Sequence, residues 1–460
     1  MNNSCNPLRN TKGVVYFYHK ILIVEIPALY DIYLKYPAVQ TDTRKIKEGD
    51  IYFALSGPKF DGNTIAGEAL AKGAAYAVID KPQYAVNDRC IVVADALDTL
   101  QQLAKYHRQQ LTIPFIAITG SNGKTTTKEL LAAVLSRKYI TYATEGNLNN
   151  HIGVPLTLLK IKQDAQMAII EMGANHQQEI AAYCRIALPD YGVITNCGKA
   201  HIEGFGGIEG VRKGKGELFD FIRGNGGKIF RNTGLDYLGP MAHDINDQIT
   251  YGLSDALYTG RPVMKGVFLH LEVDTPEETN AIATNLVGEY NFPNVMLAIA
   301  AGTYFGVSME DIQSALMAYN PDNSRSQWMK KGSNQVIMDA YNANPTSMKA
   351  AIENFASADL PAKMLWIGGM KEMGAEEHHE HEELVALIDK YQWAGVILVG
   401  KEFADVKGGH QWFENSAQAA AHVALQPPSG SSILIKGSRG SKMEVLAEAL
   451  PAWAADKDIS

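Results

Sequence analysis

Residues 114–126 read PFIAITGSNGKTT: an apolar run that stops at a glycine, a glycine-rich turn, then Lys-Thr-Thr. The apolar run predicts a buried strand. The following GKTTTKELLAAVLSRK spaces its apolar residues as a helix does and ends on basic residues. A glycine-rich turn between strand and helix lets backbone N–H groups close around phosphate oxygens, and the helix N-terminus adds partial positive charge. Gly120, Ser121, Asn122 and Gly123 supply the turn and Thr126 lies in the first helical turn. Lys124 is placed to neutralise the outer phosphates, and Thr125 to hold Mg²⁺. The stretch therefore predicts an ATP site. A strict P-loop would place glycine five residues before Gly123, where Ile118 stands, so this is a shortened variant. The bland alternative is a glycine turn that caps a helix.

The same alternation continues downstream. Strand AIIEMGA, helix QQEIAAYCRIA, strand YGVITNC and a helix around Lys213 to Ile222 predict a parallel sheet covered on both faces. From about Pro321 the pattern restarts with strands QVIMDAY, KMLWIGG, GVILVG and SILIKGS, which reads as a second doubly wound α/β domain. Upstream, TDTRKIKEGDIYFALSG, an Ala-rich helical stretch from Ile65 to Lys72 and AYAVID suggest a compact α/β module. The expected fold class is thus α/β in three domains. Residues 1–112 form a small amino-terminal module, 113–320 a central P-loop domain and 321–460 a Rossmann-like carboxyl-terminal domain.

Several residues sit where such sheets bind ligands. Glu171 ends a strand at the carboxyl edge and His201 follows the next one, so both are able to face a γ-phosphate and its metal. Taken singly, each suits a structural role. Lys213 and Lys215 lie close behind, either as a basic helix face or as phosphate contacts. Asn291 and Asn294 precede a small-residue helix, where their amides either cap it or read an adenine edge. Asp339 and the asparagines of DAYNANPTS suit ribose or phosphate contacts, or a turn and helix start. The run HHEH at 378–381 reads as a solvated helix face.

Composition excludes other classes. The formal net charge of −8 argues against broad nucleic-acid binding. Cys5, Cys90, Cys184 and Cys197 are scattered, as in a cytosolic protein with reduced thiols. The apolar run Val14–Ile26 is interrupted by His19, Lys20 and Glu25, which makes a poor signal peptide and too short a span. A soluble, cytoplasmic protein with no membrane insertion is expected.

Taken together, TGSNGKTTTKE, EGNLNNHIGVP, EMGANHQQEI, TNCGKAHIEGFGGIEGVRKGKGELF and MDAYNANPTSM, in this order, resemble the Mur ligases of peptidoglycan synthesis over roughly residues 27 to 450. NLNNHIGVP and DAYNANP resemble the branch that adds a dipeptide rather than a single amino acid. TDTRKI…GDIYFALSG…DGN resembles its nucleotide-sugar-binding domain. The resemblance implies an ATP-dependent, ADP-forming ligase that joins D-alanyl-D-alanine to UDP-N-acetylmuramoyl-tripeptide through an acyl phosphate. It assigns Lys124 and Thr125 to ATP and Mg²⁺, Glu171 and His201 to the magnesium site, and Lys215 to a lysine carbamate at a second metal. It assigns Asn294 to adenine, and Arg325 and Asp339 to the closing nucleotide site. It places Thr43, Arg44, Asn149 and Asn150 at the UDP-muramoyl peptide, and Asn342 and Asn344 on the dipeptide side. A monomer is expected. The chain departs from the family at Gly369, where an acidic residue is more usual, and in its first two dozen residues, which read as an extension. The competing readings are a folylpolyglutamate-synthase-like ligase, a P-loop ATPase that forms no bond, and a catalytically dead scaffold.

Overall fold

The computed structural model describes residues 24–274, 279–322 and 324–452. The extension, Cys5 and nearly all of the apolar run Val14–Ile26 lie outside the described residues. Among the described residues no helix is long and apolar enough to cross a membrane, and Cys90, Cys184 and Cys197 are free thiols. The chain divides into two compact units, one through Tyr106 and one from His107 onward.

The first unit is built on four parallel strands in the order Val39–Gln40, Ile51–Phe53, Tyr76–Ile79 and Cys90–Val92. Its DGN turn is fixed by Asn63, which is buried and whose Oδ1 accepts from the Asp80 amide at 3.0 Å. The Asn63 side-chain amide also donates to Asp80 Oδ1 at 2.8 Å. A short polar side chain thus holds the turn against the end of the third strand.

The second unit carries two sheets. In the first, nine strands run in the order Thr279–Val287, Phe268–Asp274, Tyr258–Lys265, Gln248–Gly252, Lys228–Asn232, Tyr191–Ile194, Phe115–Thr119, Met167–Glu171 and Thr141–Ala143. The core strands are parallel, as the βα alternation implies. Phe115–Thr119 and Met167–Glu171 are buried along their whole length, the mark of a sheet covered on both faces. Residues 223–287 carry no element legible from apolar spacing alone. There the structure adds five strands, the last three joined as antiparallel pairs. Their sequence carries the period of two: in FLHLEVD alternate residues are buried. The helix Phe292–Tyr304 is buried from Asn294 to Gly302 and packs with the phosphate-loop helix Lys124–Leu135 in one core that includes Ile118, Leu131, Val134, Ile169 and Val295.

The second sheet runs Gln327–Lys331, Asn334–Asp339, Ser432–Lys436, Lys363–Gly368, Gly395–Val399 and Gln411–Phe413. All pairs are parallel except the first. The last strand in sequence inserts beside the first parallel one, so chain progression reverses there and leaves a crevice at the carboxyl ends. Successive residues serve opposite faces. Leu365 and Ile367 join one core with Phe355 and Leu398, while Trp366 joins another with Ile397 and Ile433.

Trp366 is fully buried, yet its indole N–H has no hydrogen-bond partner. Trp366→Phe removes that unsatisfied donor along with some volume, so the two effects oppose each other. The expected loss is about 1 kcal/mol or less for Trp366→Phe and about 3–5 kcal/mol for Trp366→Ala. Urea denaturation midpoints measure both; equal losses would contradict this account of the buried N–H.

Candidate active site

The phosphate loop is shaped by two glycines. Gly120 has φ +147° and Gly123 has φ +81°, and a Cβ on Gly123 would lie 2.6 Å from Asn294 Oδ1. The loop is clasped by the segment leaving the neighbouring strand Tyr191–Ile194. Asn196 accepts from Ser121 N (2.9 Å) and Asn122 N (3.0 Å), Thr195 Oγ1 donates to Asn122 O (2.6 Å), and Ser121 Oγ donates to Gly198 O (2.9 Å). The helix opens at Lys124, so its first-turn amides, including those of Thr125 and the half-buried Thr126, have no intrahelical acceptor. Lys124 Nζ donates to Gly120 O at 2.6 Å and Ser121 O at 3.3 Å. Burial lowers its pKa, against the pull of Glu171.

Glu171 is almost wholly buried at its strand end. Its Oε1 accepts from Thr125 Oγ1 (3.1 Å) and Asn149 Nδ2 (2.7 Å), while its Oε2 is buried with no partner. An orphaned carboxylate oxygen beside a P-loop threonine fits a Mg²⁺ ion, which takes oxygen ligands from one or two protein groups, nucleotide phosphates and water. Among the described residues no three His, Cys, Asp or Glu side chains gather to hold a metal by themselves. When bound, Mg²⁺ would supply charge neutralisation on the phosphate oxygens.

Lys215 and Lys213 separate cleanly. Lys213 is exposed, whereas Lys215 is 1% exposed and its Nζ donates to Ala174 O at 3.2 Å. Burial, with Lys124 adding repulsion, pushes the Lys215 amine down to about 7.

His201 and Glu171 come from strands on either side of the phosphate-loop strand rather than from neighbouring strands. His201 holds φ +53°, its Nδ1 pairs with the Glu372 carboxylate, and burial lowers its pKa. Glu372 belongs to GGMKEMG, so this pair ties the two sheets' loops together. Three further links join the same parts. Asn344 Nδ2 donates to Asn122 Oδ1 at 2.7 Å, Lys199 N donates to Thr346 Oγ1 at 3.1 Å, and Lys199 pairs with the buried Glu380 at 2.7 Å.

The other expected residues divide. Asn294 is buried by the loop, accepting from Thr127 Oγ1 (3.1 Å) and donating to Asn291 (2.9 Å). Neither Asn291 nor Asn294 caps the helix: Asn291, at the cap position, makes no side-chain cap bond. Arg325 lies over the Tyr341 ring at 3.6 Å, with its Nε buried and without a partner. Asp339 pairs with Lys436 at 2.6 Å and accepts from Ser326 N at 3.2 Å. Asn344 caps the helix Pro345–Ser357 as well as meeting Asn122, and Asn342 is exposed. Asn149 lies on Glu171, whereas Asn150 accepts from Ile152 N and Gly153 N at 3.1 and 2.9 Å and so closes a turn. In the first unit Thr43 is buried and Arg44 is exposed, paired with Asp42 at 2.8 Å.

The HHEH run is solvated only in part. His378 and His379 are exposed, but Glu380 and His381 are buried. His381 Nε2 accepts from Met370 N at 3.1 Å and its Nδ1 meets Glu377 O at 2.6 Å, so it anchors the GGMKEMG loop. Glu372, Lys199, Glu380, Lys436 and Tyr341 were all absent from the sequence-derived site. Lys436 alone carried a signal, as a lysine directly after the apolar run Ile433–Ile435.

A phosphate loop on the parallel part of one sheet, answered by the strand-end loops of a second α/β sheet, is the layout of an ATP-dependent ligase. The matches to known families agree. Residues 35–108 match the Mur ligase family catalytic domain, 118–302 the Mur ligase middle domain, and 324–439 the Mur ligase glutamate ligase domain. The chain is 36% identical to UDP-N-acetylmuramoyl-tripeptide–D-alanyl-D-alanine ligase of Bacillus subtilis, covering 90% of this chain and 92% of the relative. A crystal structure of MurF from Acinetobacter baumannii aligns with TM-score 0.81 at 31% identity, covering 89% of this chain and 93% of that one. The MurF ligase of Thermotoga maritima in complex with ADP aligns with TM-score 0.80 at 25% identity, covering 90% and 96%. The chain belongs to the Mur ligase family.

The folded-state pKa of Lys215, about 7, lies below the unfolded value of about 10.4. Between those values the unfolded chain binds the extra proton, so this group's contribution to stability falls as pH drops from about 10.4 towards 7 and levels off below. In CO₂-depleted buffer, Lys215→Met is expected to flatten that pH dependence without lowering the unfolding midpoint at pH 7. Midpoints across pH 7–10 check it; an unchanged slope would remove the buried-amine assignment.

Proposed function

We propose that this chain joins D-alanyl-D-alanine to the tripeptide of UDP-N-acetylmuramoyl-tripeptide with conversion of ATP to ADP. The observation that carries the reading is the buried Glu171 carboxylate, which spends one oxygen on Thr125 and Asn149 and keeps the other beside the phosphate loop. Phosphorylating the tripeptide carboxylate brings two anions together, and the residues round the loop are those that cancel charge. Lys124 swings from the Gly120 carbonyl to the phosphates, and Arg325 and Asp339 close on the nucleotide from the second sheet. Asn294, beside the loop, is the group that would read the adenine edge. The resulting acyl phosphate is attacked by the dipeptide amine, and phosphate leaves. Water would hydrolyse the acyl phosphate, so contacts such as Asn122–Asn344 and His201–Glu372 serve by holding the site closed.

In this reading the first unit holds the UDP-muramoyl portion through Thr43 and Arg44, the central part ATP, and the carboxyl-terminal part the dipeptide. The enzyme works as a cytoplasmic monomer. Lys215 further takes up CO₂ on its neutral amine, releasing a proton and forming a carbamate. Burial favours the neutral amine that CO₂ requires, and the carbamate would set an anion near Lys124. Its oxygens, with the Glu171 carboxylate and a ring nitrogen of His201, are the groups that would hold a second metal.

The test is phosphate release from ATP with Mg²⁺ and UDP-muramoyl-tripeptide, with and without D-alanyl-D-alanine. Release that requires both substrates, with a pentapeptide product by mass, is expected. Release indifferent to the dipeptide would favour an ATPase, and amide formation with glutamate on a folate would favour the folylpolyglutamate alternative. Lys124→Ala is expected to lower turnover at least about a hundredfold. Lys215→Ala is expected to lose most activity with no recovery in bicarbonate, and near-normal turnover would sink the carbamate.

A further inference from the structure

A cavity of about 260 Å³ runs from His201 to the loop at Ser438–Gly440, lined also by Asn342, Asn344, Lys371 and Glu372. That is below the roughly 300–1,000 Å³ of drug-sized ligand sites, and so suits a short peptide. Its charged lining is mostly committed. Glu372 pairs with His201, and Lys371 pairs with Glu402, a carboxylate that is itself nearly buried. Arg439 is the exception. It is exposed, and among the described residues no carboxylate or hydrogen-bond acceptor engages it. Its guanidinium lies 5.7 Å from the Tyr341 ring, and that ring already carries Arg325 at 3.6 Å. The backbone under Arg439 is nonetheless fixed. Ser438 is buried, its hydroxyl meets Ser441 Oγ at 2.9 Å, and Ser441 Oγ donates to Gly369 O at 3.2 Å. A fixed turn therefore presents a guanidinium with unspent donors to the cavity.

We infer that Arg439 binds the terminal carboxylate of the acceptor dipeptide and thereby sets its direction in the cavity. The inference rests on the ligase reading above. A planar guanidinium fits a carboxylate with two parallel hydrogen bonds. The acceptor is a zwitterion whose two ends are similar in size, so shape alone orients it poorly. Bound in reverse, it would bring its own carboxylate towards the γ-phosphate, where it would compete with the tripeptide for phosphorylation. With the carboxylate on Arg439, an extended dipeptide of about 7 Å carries its amine towards His201, which lines the same cavity.

The experiment crosses two acceptors with three enzymes. D-alanyl-D-alanine is compared with D-alanyl-D-alaninamide, which lacks the negative charge, on wild type, Arg439→Met and Arg439→Lys. A hydrogen bond to a charged group corresponds to roughly 10- to 150-fold. Wild type is expected to lose about that factor in kcat/KM on the amide, through KM for the acceptor. Arg439→Met should lose a like factor on the free acid and discriminate little between the two, with KM for ATP and for the UDP-substrate unchanged. Arg439→Lys should recover part of the preference. Full discrimination retained in Arg439→Met, or a loss expressed in KM for ATP, would overturn the inference. A wild type that forms no amide with either acceptor would instead overturn the ligase reading, and this inference with it. ADP binding by all three proteins shows that each is folded.

Discussion

The second unit is organised around one buried carboxylate. Glu171 ends a wholly buried strand, and its side chain is nearly inaccessible. A carboxylate in that position is costly unless it is bonded or coordinated. One oxygen is bonded, to Thr125 from the phosphate loop and Asn149 from the following loop; the other is not. The first oxygen fixes the relative position of three strand ends, and the second keeps the pocket in need of a cation. The βα alternation, the glycines that let the loop turn tightly and the helix behind it all serve to hold this group in place.

Much of this was legible because it rests on local pattern. The strand Phe115–Thr119, the turn and the helix Lys124–Leu135 follow from hydrophobic spacing and two glycines with positive φ. The strands of the second sheet follow from short apolar runs, and their faces from simple alternation, as Leu365, Trp366 and Ile367 show. The three antiparallel strands over 258–287 were not assigned, because mixed polar and apolar residues there show the period of two only once one face is known to be buried.

The unread part of the site is made of pairs distant in sequence. Glu372 meets His201 and Glu380 meets Lys199 across more than 170 positions, and each looks like an ordinary surface charge in its own segment. The run HHEH shows the limit well. Four polar residues in a row suggest a wet face, yet a helix turns Glu380 and His381 inward, where His381 holds the Met370 amide and Glu380 pairs with Lys199. Asn149 and Asn150 show the same limit at one residue's spacing: one reaches the buried carboxylate, the other closes a turn.

The charge pattern of the joined parts is unbalanced in a way that fits a reaction between anions. Lys124 and Lys215 share a desolvated region with Arg325 close enough to Lys124 to disfavour its charge, and Glu171 is the carboxylate set against Lys124. Such an excess destabilises the protein taken alone, and a sequence selected only for stability would replace Lys215 with an apolar residue of similar volume. Asp339 and Lys436, by contrast, are neutralised by each other and need no ligand to be tolerated. Where buried charge is paired it is tolerated without a ligand; where it is left unpaired it singles out the neighbourhood of the phosphate loop as the place where a ligand would relieve it.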